Sequence, residues 1–402
     1  MTRNHRLLLT VALSTAIALP ATPALAQSDS GTSSPGGSAD SLGRDLVVHS
    51  SQNPTSSGSS IDATLSSLRA IGSSQVPLSD PLLSSNEGYP LPTDPTITQA
   101  RIVAKEVEAD NLQVNPGEDR VQRWTVASPS MQRHVSVEIM KPADPAAPAP
   151  MLYLLDGVDA PKLSGWIGIG GAQKVLGDEN VTVVVPTQAP GSWYSDWNKP
   201  DPALGVNMWE TFLTTELAPL LEAESELNFN GHRGIGGLSM GASGAVHLAN
   251  ANPELFDAAI GISGCYSPTS TIGRQITSIV TESRGGDVDN MWGEFGSEAW
   301  VAHDTVRNPE GLRDMAVYLS AANGTVTDQD LPSYGGDPFF NLAAGSGLER
   351  GVLTCTEDLE RAMVDRGMTH QVINYKGDGV HNWRNFNEEL APAWETIRPA
   401  LY

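Results

Sequence analysis

The sequence predicts an α/β fold in which a mostly parallel sheet is covered by helices on both faces. Six continuous apolar runs, most of them short, indicate strands that are buried on both sides, because such strands need no polar alternation. Segments with apolar residues at helical spacing lie between these runs. Strands that alternate with helices along a chain are typical of parallel sheets.

The elements can be placed in order from about residue 124. The segment RWTVASPSMQRHVSVEIMKP predicts two strands around a turn, with Val135, Val137 and Ile139 alternating. The six buried strands are predicted in APMLYLLDG, NVTVVVPT, HRGIGGLSM, LFDAAIGISG, DMAVYLSAANG and HQVINYKG. Helices are predicted in VNMWETFLTTELAPLLEAES, in MGASGAVHLANAN up to Pro253, in TCTEDLERAMVDRG up to Gly367, and in NWRNFNEELAPAWETIRPAL.

The first residues of the 402-residue chain have the pattern of an export signal. Arg3, His5 and Arg6 precede an apolar run of about a dozen residues, and a small-x-small cleavage site follows at Ala24-Leu25-Ala26. The pattern predicts a signal peptide over 1–26 and a secreted protein of the cell envelope or medium. No stretch approaches the ~20 apolar residues of a transmembrane helix, so no transmembrane segment is expected.

Residues 27–97 differ in composition from the rest of the chain. They are rich in Ser, Gly, Pro and Thr and bury too little apolar surface to offset the entropy of ordering. We expect a flexible linker over 27–97 and a catalytic domain over 98–402.

Charge and motif spacing exclude several function classes. Charged residues make up 18% of the chain, yet the net charge is -23, so it repels phosphate backbones and nucleic-acid binding is not expected. No C-x-x-C or H-E-x-x-H spacing is present, and the sequence predicts neither a metal nor a cofactor.

Ser239 is the candidate nucleophile. It is the serine of a G-x-S-x-G pattern, Gly237 to Gly241, which a Gly-rich chain can also contain by chance as a tight structural turn. Here the pattern lies between a predicted strand and a predicted helix. At such a junction the flanking glycines relieve clashes in a strained turn, and the helix N-terminus favours negative charge. This is the nucleophile elbow typical of α/β-hydrolases.

The candidate base is His381, and the acid is less well defined. In this fold the chain order is Ser, acid, His, and His381 lies after the last predicted strand and before the last helix. The alternative for His381 is a surface loop histidine. Spacing does not choose among the acids, which include Asp314, Asp337, Glu349, Glu357 and Asp378.

Several segments in order resemble one family. They are SPSMQRHVSV, YLLDG followed by GW, WYSDW, WETFLTTEL, GLSMGASGAV, MWGEFGSEAW and GVHNW. From about Trp124 to the C-terminus the chain resembles the secreted mycolyltransferases of the antigen 85 type, within the esterase D-like α/β-hydrolases.

The resemblance implies roles for individual residues. Ser239 would be the nucleophile, His381 the general base and Glu349 the acid. The oxyanion hole would consist of the backbone N–H groups of Val158 and Met240.

The resemblance also implies substrate contacts. Asp156 matches an Asp that holds the sugar, although it could also be a turn former at a strand end. Trp383 and Trp197 match aromatic positions that could line the substrate site, as do Trp193 and Trp292, and core packing is the alternative. Asp159 stands where the family often has an Arg, which leaves the sugar contacts and the acceptor open.

The two cysteines predict one disulfide. In a secreted protein an even count favours a bridge over two separate buried thiols. We expect a Cys265–Cys355 bond that joins the loop after one strand to the helix near Glu349.

The resemblance implies transfer of a mycolyl group from trehalose monomycolate to a sugar hydroxyl, on trehalose monomycolate or arabinogalactan, through an acyl-enzyme. A secreted carboxylesterase of the esterase D type is one alternative. A non-catalytic wall protein on a hydrolase scaffold is the other.

Overall fold

The structure, a computed structural model, describes residues 88–107, 120–331 and 338–402. The predicted signal peptide and most of the predicted linker lie outside the described residues. One nine-stranded sheet runs through the described part, in the order β1-β2-β3-β5-β4-β6-β7-β8-β9. The strands are β1 (Arg101–Val107), β2 (Val121–Ser128), β3 (Arg133–Met140), β4 (Ala149–Leu155), β5 (Thr182–Pro186), β6 (Phe229–Leu238), β7 (Ala258–Ile262), β8 (Ala316–Ala321) and β9 (Val372–Tyr375).

The mostly parallel sheet is confirmed. Five of the neighbouring pairs, from β5/β4 through β8/β9, are parallel, whereas β1/β2, β2/β3 and β3/β5 are antiparallel. Each of the six apolar runs forms a strand, and the RWTVASPSMQRHVSVEIMKP segment forms the two predicted strands, β2 and β3. The prediction of burial on both faces is wrong for β9, because it lies at the sheet edge and each of its residues is exposed or half-buried. Strand β1 was not predicted, because its RIVAKEV sequence is short and largely exposed at the sheet edge.

The helices occupy both faces of the sheet. They are α1 (Gly165–Gly168), α2 (Ala172–Leu176), α3 (Trp209–Thr211), α4 (Ala218–Glu222), α5 (Met240–Ala251), α6 (Thr271–Glu282), α7 (Val288–Met291), α8 (Glu298–Ala302), α9 (Pro338–Asp365) and α10 (Trp383–Ile397). A π-helical segment, Phe212–Leu217, joins α3 to α4, and single 3₁₀ turns cover Glu310–Leu312 and Arg398–Ala400.

Strand β4 shows how the two cores are divided. Met151, Tyr153 and Leu155 face the larger core, whereas Leu152 and Leu154 face the smaller one, because alternate side chains of a strand point to opposite faces. Side chains of α5, α6 and α9 fill the larger core, and those of α1, α2 and α10 fill the smaller one. The strand is therefore buried on both sides, as its apolar run predicts.

Helix α9 begins earlier than its sequence pattern indicates. The apolar periodicity is clear only from Thr354, because Gly, Ala and Ser interrupt the apolar residues before it, yet the helix begins at Pro338. It ends close to the predicted stop, and Gly367 has the positive φ of 75° that glycine adopts without a clash. Glu349 consequently lies inside a helix.

The last part of the predicted linker is packed on the domain. The Tyr89 hydroxyl donates to the Gln188 carbonyl at 2.6 Å, and the Ile97 side chain is buried. Within the described ranges, no helix is both long enough and apolar enough to cross a membrane.

Candidate active site

Ser239 lies at a strained turn between β6 and α5. Its φ of 54° and ψ of -123° are outside the regions that residues with a side chain usually adopt. The two glycines of the motif, Gly237 and Gly241, allow the backbone segments around this turn to approach each other closely. A Cβ on Gly237 would lie 2.4 Å from the carbonyl carbon of Gly241, and a Cβ on Gly241 would lie 2.3 Å from the Leu155 carbonyl oxygen. The backbone approaches too closely at both positions for any side chain.

Three of the predicted site residues form one hydrogen-bond chain. The Ser239 Oγ lies 2.7 Å from Nε2 of His381, and Nδ1 of His381 lies 2.7 Å from Oε2 of Glu349. His381 is buried and Glu349 is fully buried. In this arrangement the Nδ1–H donates to the carboxylate, so Nε2 has a lone pair that can accept the serine proton.

The second carboxylate oxygen of Glu349 is also held. Its Oε1 accepts hydrogen bonds from the Ser263 hydroxyl at 2.7 Å, the Ala322 N–H at 2.8 Å and the Asn385 amide at 3.2 Å. These donors fix the orientation of the carboxylate towards His381. Ser263 and Asn385 were not predicted from the sequence. The available signals were a serine directly after β7 and an amide four residues after His381.

The remaining acid candidates are not brought to this chain. Asp314, Glu357 and Asp378 are exposed on the surface. Asp337 lies outside the described residues. Of the candidates that the structure describes, Glu349 is therefore the one in contact with His381.

The backbone positions predicted for the oxyanion hole adjoin Ser239. Met240 is the first residue of α5, and the first amides of a helix have no acceptor within that helix. Gly157, directly before Val158, packs so closely that its Cβ would lie 3.5 Å from the Ser239 Cβ. Two separate backbone segments thus approach the hydroxyl.

Asp156 lies beside this site at the end of β4. It is 1% exposed, and its Oδ2 accepts a hydrogen bond from the Gly165 N–H at 3.2 Å. Burial raises the pKa of Asp156 to about 7, with the hydrogen bond from Ser164 acting in the opposite direction. The carboxyl group can therefore donate or accept a hydrogen bond near neutral pH.

Trp383 shares the surroundings of Asp156. A Cβ on Gly165 would lie 2.1 Å from the Trp383 ring and 3.0 Å from the Asp156 Oδ1, so both side chains flank this glycine. The Trp383 ring also meets Trp166 edge-on at 5.7 Å between centroids.

The other candidate tryptophans are core residues. Trp197, Trp193 and Trp292 are each at most 5% exposed. Their indole N–H groups donate to the Ser192 carbonyl, the Thr281 hydroxyl and the Ser195 hydroxyl respectively. This packing favours the core alternative over a substrate-lining role.

Asp159 has a structural partner. Its carboxylate lies 2.9 Å from the guanidinium of Arg284, which follows α6, and both side chains are largely buried. Asp159, at a position where the resemblance implies an arginine, thus forms an ion pair between the loop after β4 and the end of α6.

The predicted disulfide is confirmed. Cys265 and Cys355 are bonded with an S–S distance of 2.06 Å, which joins the loop after β7 to α9. Cys265 follows Ser263 by two residues, and Cys355 follows Glu349 by six. The bond therefore holds together the two segments whose side chains meet at the Glu349 carboxylate.

A family model described as "Putative esterase" matches residues 128–397. This match covers the sheet from the end of β2, the elbow and the hydrogen-bond chain. The chain belongs to this esterase family. The esterase is thus an enzyme of the hydrolase type, with the α/β architecture described above.

Its relatives include proteins of a more specific name. It is 31% identical over 290 residues to diacylglycerol acyltransferase/mycolyltransferase Ag85A of Mycobacterium tuberculosis, covering 70% of this chain and 81% of that protein. It is 31% identical over 284 residues to the Ag85B protein of Mycolicibacterium smegmatis, covering 67% of this chain and 82% of that protein. The resemblance to the antigen 85 type is therefore confirmed.

Solved structures share the fold of this esterase. The crystal structure of MPT51 from Mycobacterium tuberculosis superimposes with a TM-score of 0.56 at 24% identity, covering 68% of this chain and 96% of that chain. An S-formylglutathione hydrolase from Agrobacterium tumefaciens gives a TM-score of 0.50 at 14% identity, covering 74% and 99%. At these identities the likeness concerns the fold alone.

Proposed function

We propose that this esterase transfers a mycolyl group from trehalose monomycolate to a sugar hydroxyl through an acyl-enzyme on Ser239. The observation that supports this most is the continuous hydrogen-bond chain from Ser239 through His381 to Glu349. The names of the relatives at about 30% identity supply the mycolyl group, whereas trehalose and the sugar acceptor come from the resemblance to the antigen 85 type.

The first half-reaction would form the acyl-enzyme. Nε2 of His381 takes the proton as the Ser239 Oγ attacks the ester carbonyl carbon. The N–H groups of Met240 and Val158 would donate to the resulting oxyanion. When the tetrahedral intermediate collapses, the ester C–O bond breaks and the sugar oxygen leaves with the proton from His381.

The second half-reaction would reverse these roles. A hydroxyl of trehalose monomycolate or arabinogalactan gives its proton to His381 and attacks the acyl carbon. The bond to Ser239 breaks, and the serine regains its proton. In both halves the Glu349 carboxylate stabilises the imidazolium, and its three other donors keep it aligned.

The sugar would bind near Asp156 and Trp383. The buried carboxyl of Asp156 can exchange hydrogen bonds with a hydroxyl group, and an aromatic face suits a pyranose ring. Trp193, Trp197 and Trp292 belong to the larger core, whereas Trp383 packs against the smaller one, so we assign no sugar contact to these three. The proposal includes secretion to the cell envelope through the signal peptide over 1–26.

The test is mass spectrometry of the purified enzyme after incubation with trehalose monomycolate. We expect a mycolyl adduct on the peptide that contains Ser239, and trehalose dimycolate among the products. Ser239→Ala should abolish both. Ser225→Ala, at an exposed serine after α4, is the matched control and should retain both. Dimycolate formation by Ser239→Ala would refute the proposal.

A carboxylesterase that uses water as acceptor is the second candidate, favoured by the family description. In that case the same incubation yields free mycolic acid without dimycolate. A non-catalytic wall protein would yield neither product, and a fluorophosphonate would leave Ser239 unlabelled.

A further inference from the structure

Two histidines and a glutamate lie close together at α5, the helix that begins directly after Ser239. Glu210 lies in α3, His247 lies in α5 eight residues after Ser239, and His303 directly follows α8. One potential ligand atom from each lies within 4.8 Å of the other two. The three side chains are largely buried, with exposures of 24%, 12% and 12% respectively.

The hydrogen bonds of His303 define its free nitrogen. Its Nδ1 lies 2.7 Å from the Ala299 carbonyl, which can only accept, so Nδ1 holds the proton. Its Nε2 is buried, makes no hydrogen bond within the described residues, and lies 3.4 Å from Oε2 of Glu210. In a neutral ring, a lone pair would therefore face a carboxylate oxygen with no proton between them.

Stacking holds the His303 ring rigidly. The Trp292 ring stacks against it at 4.4 Å between centroids, and the His247 ring stacks at 4.4 Å as well. His247 directs its Nε2 to the other carboxylate oxygen of Glu210 at 2.9 Å. Because a neutral His247 can donate from Nε2, protons alone would require one imidazolium, at His303, stacked between Trp292 and His247. One cation shared by both rings and the carboxylate would instead satisfy both nitrogens.

We propose that Glu210, His247 and His303 form a binding site for Zn²⁺. Two imidazole nitrogens and one carboxylate oxygen are ligands that suit this ion. The 3.4 Å between the His303 and Glu210 ligand atoms is close to the ~3.3 Å of two ligands on a tetrahedral ion with bonds of about 2.05 Å. The Ala299 carbonyl, which accepts from the other nitrogen of His303, supplies the outer hydrogen bond usual for a metal-binding histidine.

Solvent can approach the cluster from the His247 side. A cavity of about 560 Å³ lies against His247 and is also lined by Asn250, Val301 and Asp304, but not by Glu210 or His303. No metal was predicted from the sequence, because the three proposed ligands are widely separated along the chain and follow no spacing motif.

A bound ion would affect the stability of the fold. It would join the helix that begins at the nucleophile to α3 and to the segment after α8. It does not contact the reacting atoms, so we expect a gain in stability rather than a chemical role in acyl transfer.

The test uses the full-length chain stripped with a chelator and then titrated with Zn²⁺ or Co²⁺. We expect one Zn²⁺ per chain, a rise in Tm, and the absorption of tetrahedral Co²⁺ in the cobalt form. Mg²⁺, which prefers oxygen ligands, should leave Tm unchanged.

Variants distinguish Zn²⁺ binding at this site from nonspecific binding of metal to the protein surface. His303→Gln and Glu210→Gln should each lower the Zn²⁺ affinity more than about tenfold, the lower bound for losing a group that merely orients a ligand. His232→Gln is the matched control, because His232 is exposed and pairs with Asp257 at 3.3 Å. Circular dichroism identifies variants that fail to fold.

No Zn²⁺ bound to the folded wild type would overturn the proposal, and the cluster would then hold protons only. Equal loss of affinity in His232→Gln and His303→Gln would overturn it as well. Neither result depends on the acyl-transfer proposal, since the readouts are metal content, Tm and the cobalt spectrum.

Discussion

Asn385 acts on the proposed chemistry through Glu349. Its amide donates to the Glu349 Oε1 at 3.2 Å without contacting Ser239, so we regard it as a positioning residue. Asn385→Ala should lower kcat about tenfold with little change in KM, because a mis-set carboxylate stabilises the imidazolium less.

A second substitution distinguishes this role from simple packing. Asn385→Asp places another negative charge beside Glu349, which favours protonated His381. The acidic limb of the pH–rate profile should therefore move to higher pH. A profile that coincides with that of the wild type would contradict the assignment.

Asp156 gives the molecule a specific dependence of stability on pH. Its pKa in the folded state is about 7, above the ordinary value of 3.8, so the folded state binds the proton more tightly than the unfolded state. Its contribution to the free energy of unfolding should fall as pH rises from about 4 to about 7, by at most about 1.4 kcal/mol per pH unit.

Asp156→Asn should remove this dependence. Denaturant unfolding across that pH range would show a flatter profile for the variant, and the variant should exceed the wild type in stability at pH 8. Parallel profiles would show that Asp156 titrates normally.

Residues of the site differed in how far the sequence could define them. Ser239 and His381 could be predicted, because the elbow motif and the chain order of the fold place them locally. Spacing could not choose Glu349, since the acid lies inside a helix whose beginning has little apolar periodicity. Ser263, Asn385 and Glu349 belong to separate parts of the chain, near β7, in α10 and in α9. Their hydrogen bonds form only when these elements pack together, so no local sequence pattern predicts them.

At the scale of elements, the contact between β4 and α5 determines the elbow. A Cβ on Gly241 would meet the carbonyl oxygens of Leu155 and Asp156 at 2.3 and 2.4 Å, and these are backbone atoms that cannot rotate away. Gly241→Ala should therefore destabilise the protein by about 1–3 kcal/mol or more and abolish fluorophosphonate labelling.

Gly377→Ala is the matched control, because a Cβ there would meet nothing within 4 Å. Thermal unfolding and labelling of both variants would decide the matter. Normal labelling of Gly241→Ala would show that the helix can move away from the strand at no loss to the site.

The disulfide couples α9 to the loop after β7. It closes a loop with a sequence separation of 90, and the loop-closure model gives a stabilisation of about 4–5 kcal/mol. Cys265→Ala with Cys355→Ala should lower the free energy of unfolding by up to this amount, measured by denaturant titration. We also expect kcat to fall, because Glu349 and Ser263 are no longer clamped together. Unchanged kcat with lower stability would limit the bond to a structural role.

At the scale of the whole molecule, the sheet was the most predictable part. The apolar runs that become β4 to β9 are local signals of strands, although β9 lies at the sheet edge and is not buried on both faces. The edge strand β1 was missed because its side chains are largely exposed and its pairing with β2 is not visible in its own residues. The π-helical segment between α3 and α4 was equally hidden, since its apolar pattern is that of an ordinary helix.

The net charge of -23 predicts how the whole molecule responds to salt. Unbalanced negative charge destabilises the compact state through self-repulsion, and salt shortens its range from about 30 Å at 0.01 M to about 8 Å at 0.15 M. At pH 7.5 we expect Tm to rise by a few degrees between these NaCl concentrations. Near the isoelectric point of about 4.6 the repulsion vanishes, and the rise should vanish with it. A salt effect of equal size at both pH values would show that the ions act by hydration rather than by screening this charge.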